Sequence, residues 1–353
     1  MRSNGRESWY RWAIVCAPGR AASRSTGVLR SLRTMALLAA LALGACGGSH
    51  GGAAAPADDV PPDGMFAVGT REIVLVDESR PTSANGDVPA RDSRTLETLV
   101  FYPGVGEPGG VARRDLTPVP EAGPFPLVVF AHGLGGVAAV YGDLLTAIAA
   151  AGYVVAAPNF PLTNGLTEGE PLRDDYVNQP ADMGFVLDAA IGLNGDSSSF
   201  LAGMIDVDRI GAAGQSLGGV TTFGWAFNTC CADPRIQAAV PMAGALFEFP
   251  GEYFREPGPP VLIIHGDADD TVPYANAEMA FSLAQPPKLL VRLVGGDHIR
   301  PYVNVGQRRP TFDATVAATI AFFDHFLKRE RGSLDRLLAV DDLEAADLEG
   351  QLE

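Results

Sequence analysis

Histidine is scarce in this chain, with five among 353 residues. Chemistry that needs an imidazole therefore has few residues to draw on, and each can be weighed. Cysteine is scarcer still, at positions 16, 46, 230 and 231. With no CxxC and no Cys/His ligand cluster, a structural zinc site is not expected, and no metal or other cofactor is called for. Cys230 and Cys231 are adjacent, and two small buried thiols are expected there ahead of a vicinal disulfide. Basic residues number 26 against 42 acidic ones. Setting aside residues 1–45, which hold seven Arg and one Glu, leaves 19 basic against 41 acidic residues, a net charge of −22. Such a body lacks the basic patches that neutralise phosphates, so nucleic acid is not an expected partner. The apolar run at 35–45 is too short to span a bilayer. Internal repeats are absent.

What is there begins with an Arg- and Ser-rich stretch at 1–34 that leads into that apolar run and ends in small residues. This is the shape of a signal peptide, to be left out of fold reasoning. Leu43-Gly44-Ala45-Cys46 resembles the lipobox of bacterial lipoproteins, which implies a lipidated Cys46, membrane attachment and a place in the cell envelope. Cleavage after an alanine without lipidation, giving a periplasmic or secreted protein, is the alternative. Residues 46–65 are rich in Gly, Ala, Pro and Asp without apolar period, a flexible tether.

Folded sequence is expected from about 66 to 330. Strand-like runs at 71–76 and 95–102 suit an antiparallel edge. The run Phe125-Pro-Leu-Val-Val-Phe-Ala131 is continuously apolar, as befits a strand buried on both faces of a parallel sheet. A helix at 138–151, closed by Gly152, and a strand at 153–158 complete a right-handed crossover. Strands follow at 205–213, 236–242, 261–265 and 289–294, and helices at 180–193, 275–283 and 311–328. Alternation of this kind predicts an α/β fold with a doubly wound, mainly parallel sheet. Residues 331–353, whose last twenty include seven acids, read as an acidic tail.

Gly214-Gln215-Ser216-Leu217-Gly218-Gly219 lies between a strand and a helix and reads as a nucleophile elbow, a sharp turn that exposes a serine above the sheet edge. A serine hydroxyl needs a base to take its proton and an acid to orient that base. His50 lies in the tether, His325 within the last helix, and His132 and His265 each end a buried strand. His298 remains, in the loop Gly295-Gly296-Asp297-His298 just past a strand. His132 read as a metal ligand has no second ligand nearby. Three carboxylates, Asp267, Asp269 and Asp270, follow the strand at 261–265. A calcium loop built on Asp267, Asp269, Thr271 and Glu278 fails because Val272 stands where such a loop needs glycine.

The stretch from His265 to Pro273 resembles the HGxxDxxVP loop of serine hydrolases with the α/β-hydrolase fold, and that register implies Asp269 as the acid. Over about 66–328 the chain resembles this superfamily, closest to its dienelactone-hydrolase, platelet-activating-factor acetylhydrolase and polyester-hydrolase branches. The resemblance implies a serine carboxylic-ester hydrolase working through Ser216, Asp269 and His298 and an acyl-enzyme. It also implies an oxyanion hole of backbone N–H groups, here Leu217 and Leu134, with Gly133 next. Only about 17 residues separate the strands ending near 243 and starting at 261, so no large lid domain is expected. Leu246 and Phe247 are candidate lining for a small-molecule or polymeric ester, ordinary core being their other reading. The chain departs from polyester hydrolases in lacking their tryptophan after Met242 and their C-terminal cysteine pair. A lipase or polyester depolymerase is the alternative activity, and a surface-anchored binding protein without turnover the alternative class.

Overall fold

A computed structural model describes residues 66–303 and 309–353. The signal peptide expected at 1–45, Cys46 and the tether at 46–65 lie outside the described residues. A ten-stranded sheet runs β10-β9-β8-β7-β6-β4-β5-β2-β1-β3. The strands in chain order are β1 (Ala67–Asp77), β2 (Arg94–Gly104), β3 (Arg113–Arg114), β4 (Phe125–Ala131), β5 (Val154–Asn159), β6 (Ile205–Gln215), β7 (Ile236–Met242), β8 (Val261–Gly266), β9 (Lys288–Leu293) and β10 (Ala346–Gln351). From β5 through β4, β6, β7 and β8 to β9 every pairing is parallel. The expected antiparallel edge forms between β1 and β2, and β2 pairs antiparallel with β5.

The apolar run of β4 shows why the sheet is covered on both faces. Side chains alternate across a strand. Leu127, Val129 and Ala131 join a cluster with Met183, Leu187 and Phe223, from helices α2 (Gln179–Gly195) and α3 (Leu217–Phe227). Val128 and Phe130 join the opposite cluster with Leu144 and Ile148 of α1 (Gly142–Ala150) and Phe322 of α5 (Pro310–Phe323). Helix α4 (Ala275–Leu283) packs with the first cluster. The chain leaves β4 for β5 on one side and then crosses to β6 on the other. Loops leaving β4 and β6 at their carboxyl ends are thus set side by side, the place where open α/β sheets bind ligands.

One expectation needs correction. The stretch at 331–353 is folded: α6 (Ser333–Leu338) is followed by β10, which pairs antiparallel with β9 from Ala346↔Leu293 to Gln351↔Lys288. Leu337, Val340, Ala345 and Ala346 are buried, while Asp347 and Glu349 face solvent. Apolar residues interleaved among the acids dock the segment, and the acids blunt the new sheet edge against further pairing. No helix or strand interrupts residues 243–260, in keeping with the expected lack of a lid domain.

A buried ion cluster pins the segment between β5 and α2. Arg94, 1 % exposed, donates to Asp182 at 2.8 and 2.6 Å and to Asp175 at 3.2 and 2.8 Å. Replacing Arg94 by Met should cost about 3 kcal/mol or more, because two buried carboxylates lose their main partner. Urea unfolding checks this, and a loss below 1 kcal/mol would show that the cluster does not hold the fold.

Candidate active site

The turn at Ser216 is possible because of its glycines. Ser216 has φ 58° and ψ −118°, in the region that side-chain-bearing residues avoid. A Cβ at Gly214 would lie 2.4 Å from the Gly218 carbonyl oxygen, and one at Gly218 would lie 2.0 Å from that of Ala131. Only bare backbone lets the start of α3 approach the ends of β6 and β4 so closely. The Ser216 N–H donates to the Met242 carbonyl at 2.9 Å, fixing the turn to the end of β7.

The base reaches the serine from a loop held by similar means. A Cβ at Gly266 would meet the Gly296 carbonyl oxygen at 2.1 Å, and the Ala268 N–H donates to that oxygen at 3.0 Å. The Asp297 carboxylate accepts the N–H groups of Ile299 and Arg300 at 3.0 and 2.7 Å, closing the turn around His298. His298 Nε2 then stands 2.8 Å from Ser216 Oγ, and its Nδ1 stands 2.7 Å from Asp269 Oδ2. A carboxylate can only accept, so Nδ1 carries the proton and Nε2 presents its lone pair to the hydroxyl. Asp269 is buried. Burial would raise its pKa, but hydrogen bonds from His265, His298 and the Val272 N–H outweigh it and hold the carboxyl well below the usual range. Asp267 turns away to Arg292 and the Gly295 N–H, and is not part of this chain.

The turn after β4 lies against the serine: a Cβ at Gly133 would sit 3.1 Å from Ser216 Cβ. The Gly133 N–H donates to the Tyr141 hydroxyl at 3.0 Å and is therefore occupied. The N–H groups of Leu134 and Leu217 donate to no described residue. Leu217 opens α3, where the first N–H groups of a helix have no partner within it. Leu217 forms a small buried apolar cluster with Val220 and Phe249, against which Phe247, Tyr176, Cys231 and Tyr253 pack. Tyr176 meets Phe247 and Phe249 edge-on, with ring centroids 5.3 and 5.1 Å apart. Leu246 packs instead against the main core cluster.

The cysteine expectation also needs correction. Cys230 and Cys231 form a vicinal disulfide, and Cys230 is exposed. Helix α3 has ended at Phe227, and Asn228 accepts the Cys230 N–H on its side chain and the Cys231 N–H on its carbonyl, both at 3.0 Å. The turn carries the pair out of the core and beside the aromatic cluster.

A serine bonded to an imidazole that is bonded to a buried carboxylate, with free amides alongside, is an arrangement suited to acyl transfer. The model of the PET hydrolase-like family matches residues 147–329, more than half of the chain. The chain belongs to the PET hydrolase-like family. The model of platelet-activating factor acetylhydrolase, isoform II, matches residues 91–161. A stretch of 64 residues is 39 % identical to the uncharacterized protein YfhR of Escherichia coli, in strains K12 and O157:H7, covering 17 % of this chain and 22 % of each relative. The match thus spans about a fifth of those relatives' length. Among solved structures, a ferulic acid esterase from Streptomyces cinnamoneus aligns with a TM-score of 0.57 and 23 % identity over 78 % of this chain and 93 % of that one, a likeness of fold. This PET hydrolase-like protein has the α/β-hydrolase fold.

Two histidines set aside by their places in strands prove to support the site. His265 lies beside Asp269, with Nε2 2.7 Å from the Val272 carbonyl and 3.3 Å from Asp269 Oδ2. Its place in the HGxxDxxVP stretch was the available signal. His132 Nδ1 lies 2.7 Å from the Gly133 carbonyl, and its Nε2 accepts the Phe160 N–H at 3.0 Å. Nδ1 thus holds the single ring proton, and a second proton has no acceptor. Tyr176 had no local signal at all, since it reaches the cluster from the long loop before α2.

Burial pushes the His132 pKa from 6.5 down to about 4, although the Gly133 carbonyl pulls the other way. Below pH 6.5 the unfolded chain binds a proton here that the folded chain refuses until about pH 4. Stability is therefore full above that window and falls by about 3 kcal/mol as the pH drops through it. Unfolding free energies at neutral pH and at about pH 4.5 should show this loss in the wild type and a smaller one in His132→Gln. Equal losses in the two proteins would rule out His132 as the source.

Proposed function

We propose that the protein is an exported serine esterase in which Ser216, His298 and Asp269 form the catalytic triad. The observation that carries this reading is the unbroken hydrogen-bonded chain from Ser216 Oγ through the His298 ring to Asp269 Oδ2, at 2.8 and 2.7 Å. Ser216 Oγ attacks the ester carbonyl while His298 Nε2 takes its proton. Asp269 keeps the imidazole in the required tautomer and stabilises the imidazolium. The N–H groups of Leu134 and Leu217 receive the negative charge that develops on the carbonyl oxygen. Collapse of the tetrahedral intermediate expels the alcohol, which leaves with the proton from His298. Water, deprotonated by His298, then attacks the acyl-enzyme and frees the acid and Ser216. Phe247, with Leu217 and Tyr176, lines the acyl side, and Leu246 supports it from the core.

A second reading, an enzyme of polyesters or of other insoluble esters, is favoured by the family match and by the absence of any helix or strand at 243–260 that could cover the site. The two readings share one mechanism and differ in how the ester is presented. The N-terminal sequence supports export with Cys46 lipidated, which would hold the enzyme at the envelope membrane.

Hydrolysis of p-nitrophenyl esters from acetate to palmitate, wild type beside Ser216→Ala, tests the mechanism. The variant should lose at least roughly 10⁴-fold in kcat while folding normally, and an active variant would remove Ser216 from the role. Release of acid from a polyester film at a rate matching the soluble esters would select the second reading. Intact mass of the exported protein should show a diacylglyceryl Cys46, and an unmodified N-terminus would make the enzyme periplasmic or secreted.

A further inference from the structure

Gln215 ends β6 immediately before Ser216, and its side chain is 1 % exposed. Both ends of its amide are bonded. Nε2–H donates to the main-chain carbonyl of His298 at 2.8 Å, and Oε1 accepts the Tyr141 hydroxyl at 2.8 Å. The Tyr141 oxygen in turn accepts the Gly133 N–H at 3.0 Å. Three hydrogen bonds thus join the turn that carries Leu134 to the residue that carries the base.

Directions along this path are forced. The Gly133 N–H can only donate and the His298 carbonyl can only accept. Turning the Gln215 amide over would set two oxygens 2.8 Å apart at His298. Burial pushes the Tyr141 hydroxyl up to about 12, against the opposing pull of its Gly133 contact, so it remains a donor. A Cβ at Gly133 would lie 2.9 Å from Gln215 Oε1, which shows how closely the turn rests on this side chain. His298 lies past the end of β9 in a loop without helix or strand. Asp269 holds its ring, and Gln215 holds its backbone.

We propose that Gln215 is a positioning residue that, through Tyr141, ties the His298 loop and the Gly133–Leu134 turn to the nucleophile elbow, so that base and oxyanion donor keep one geometry relative to Ser216. This role rests on the triad reading above. Displacing either group by a fraction of an ångström would slow the chemical step and leave ground-state binding of the ester largely untouched.

Steady-state kinetics on p-nitrophenyl acetate with Gln215→Met, Tyr141→Phe, the double variant and Ser216→Ala test the proposal. Methionine keeps the length of the side chain and removes both hydrogen bonds. Gln215→Met should lower kcat on the order of 10- to 100-fold, with KM within about twofold of wild type. The double variant should be no slower than Gln215→Met, because one connection is lost once. Wild-type kcat in Gln215→Met, or losses that multiply in the double variant, would overturn the proposal. Should Gln215→Met fail to fold, Tyr141→Phe decides: a lowered kcat at unchanged KM upholds the tie, and a wild-type kcat overturns it. Activity in Ser216→Ala would sink the triad reading itself, whereas an inactive Ser216→Ala beside a full-speed Gln215→Met sinks only the role of Gln215.

Discussion

The close approach of α3 to the ends of β4 and β6 is the constraint on which the site depends. It requires a serine at positive φ flanked by residues without Cβ, since any side chain at Gly218 would collide with the Ala131 carbonyl. The strain at Ser216 is offset by the packing of α3, every residue of which is buried between the sheet and the surrounding loops. Because the helix begins directly after the serine, its first N–H groups face the same space as the hydroxyl. The serine hydroxyl and the unpaired helix N–H are thus set by one backbone arrangement.

Sheet topology supplies the remaining parts in the same way. Crossing from β5 over β4 to β6 puts the turn after β4 beside the elbow, and the parallel strands β7, β8 and β9 end on the same edge. Asp269 after β8 and His298 after β9 come together because those strands pair directly, up to Gly266↔Leu293. Burial opposes ionisation of Asp269, and the hydrogen bonds that outweigh it, from His265, His298 and the Val272 N–H, include the one that aims the imidazole. Ionisation of Asp269 and orientation of the imidazole therefore depend on shared contacts. His132 plays a matching part on the other flank, where it donates its single ring proton to the Gly133 carbonyl and accepts the Phe160 N–H on Nε2.

The surroundings of the serine are assembled from segments far apart in the chain. Tyr176 comes from the loop pinned by Arg94 and Asp175, Phe247 and Phe249 follow β7, and the Cys230–Cys231 turn follows α3. None of these is adjacent in sequence to the nucleophile. Their meeting beside Leu217 makes the aromatic wall a property of the fold as a whole.

Sequence alone determined the fold class, the strand and helix order and the three residues of the hydrogen-bonded chain. These are local signals: continuous apolar strands, glycines that permit one sharp turn, and a histidine and an aspartate just past strand ends. The acidic C-terminal stretch misled because its charges are plain to read, while the docking of Leu337, Val340 and Ala346 depends on an edge strand built elsewhere. The adjacent cysteines misled for a similar reason, since their burial was set by where α3 stops. Only the tertiary structure decided that the Gly133 amide is occupied by Tyr141, that His265 shares the Asp269 carboxylate and that Gln215 links the His298 carbonyl to the β4 turn. Hydrogen bonds of this kind join residues tens of positions apart, and a side chain's composition and neighbours carry no record of the partner that folding will bring to it.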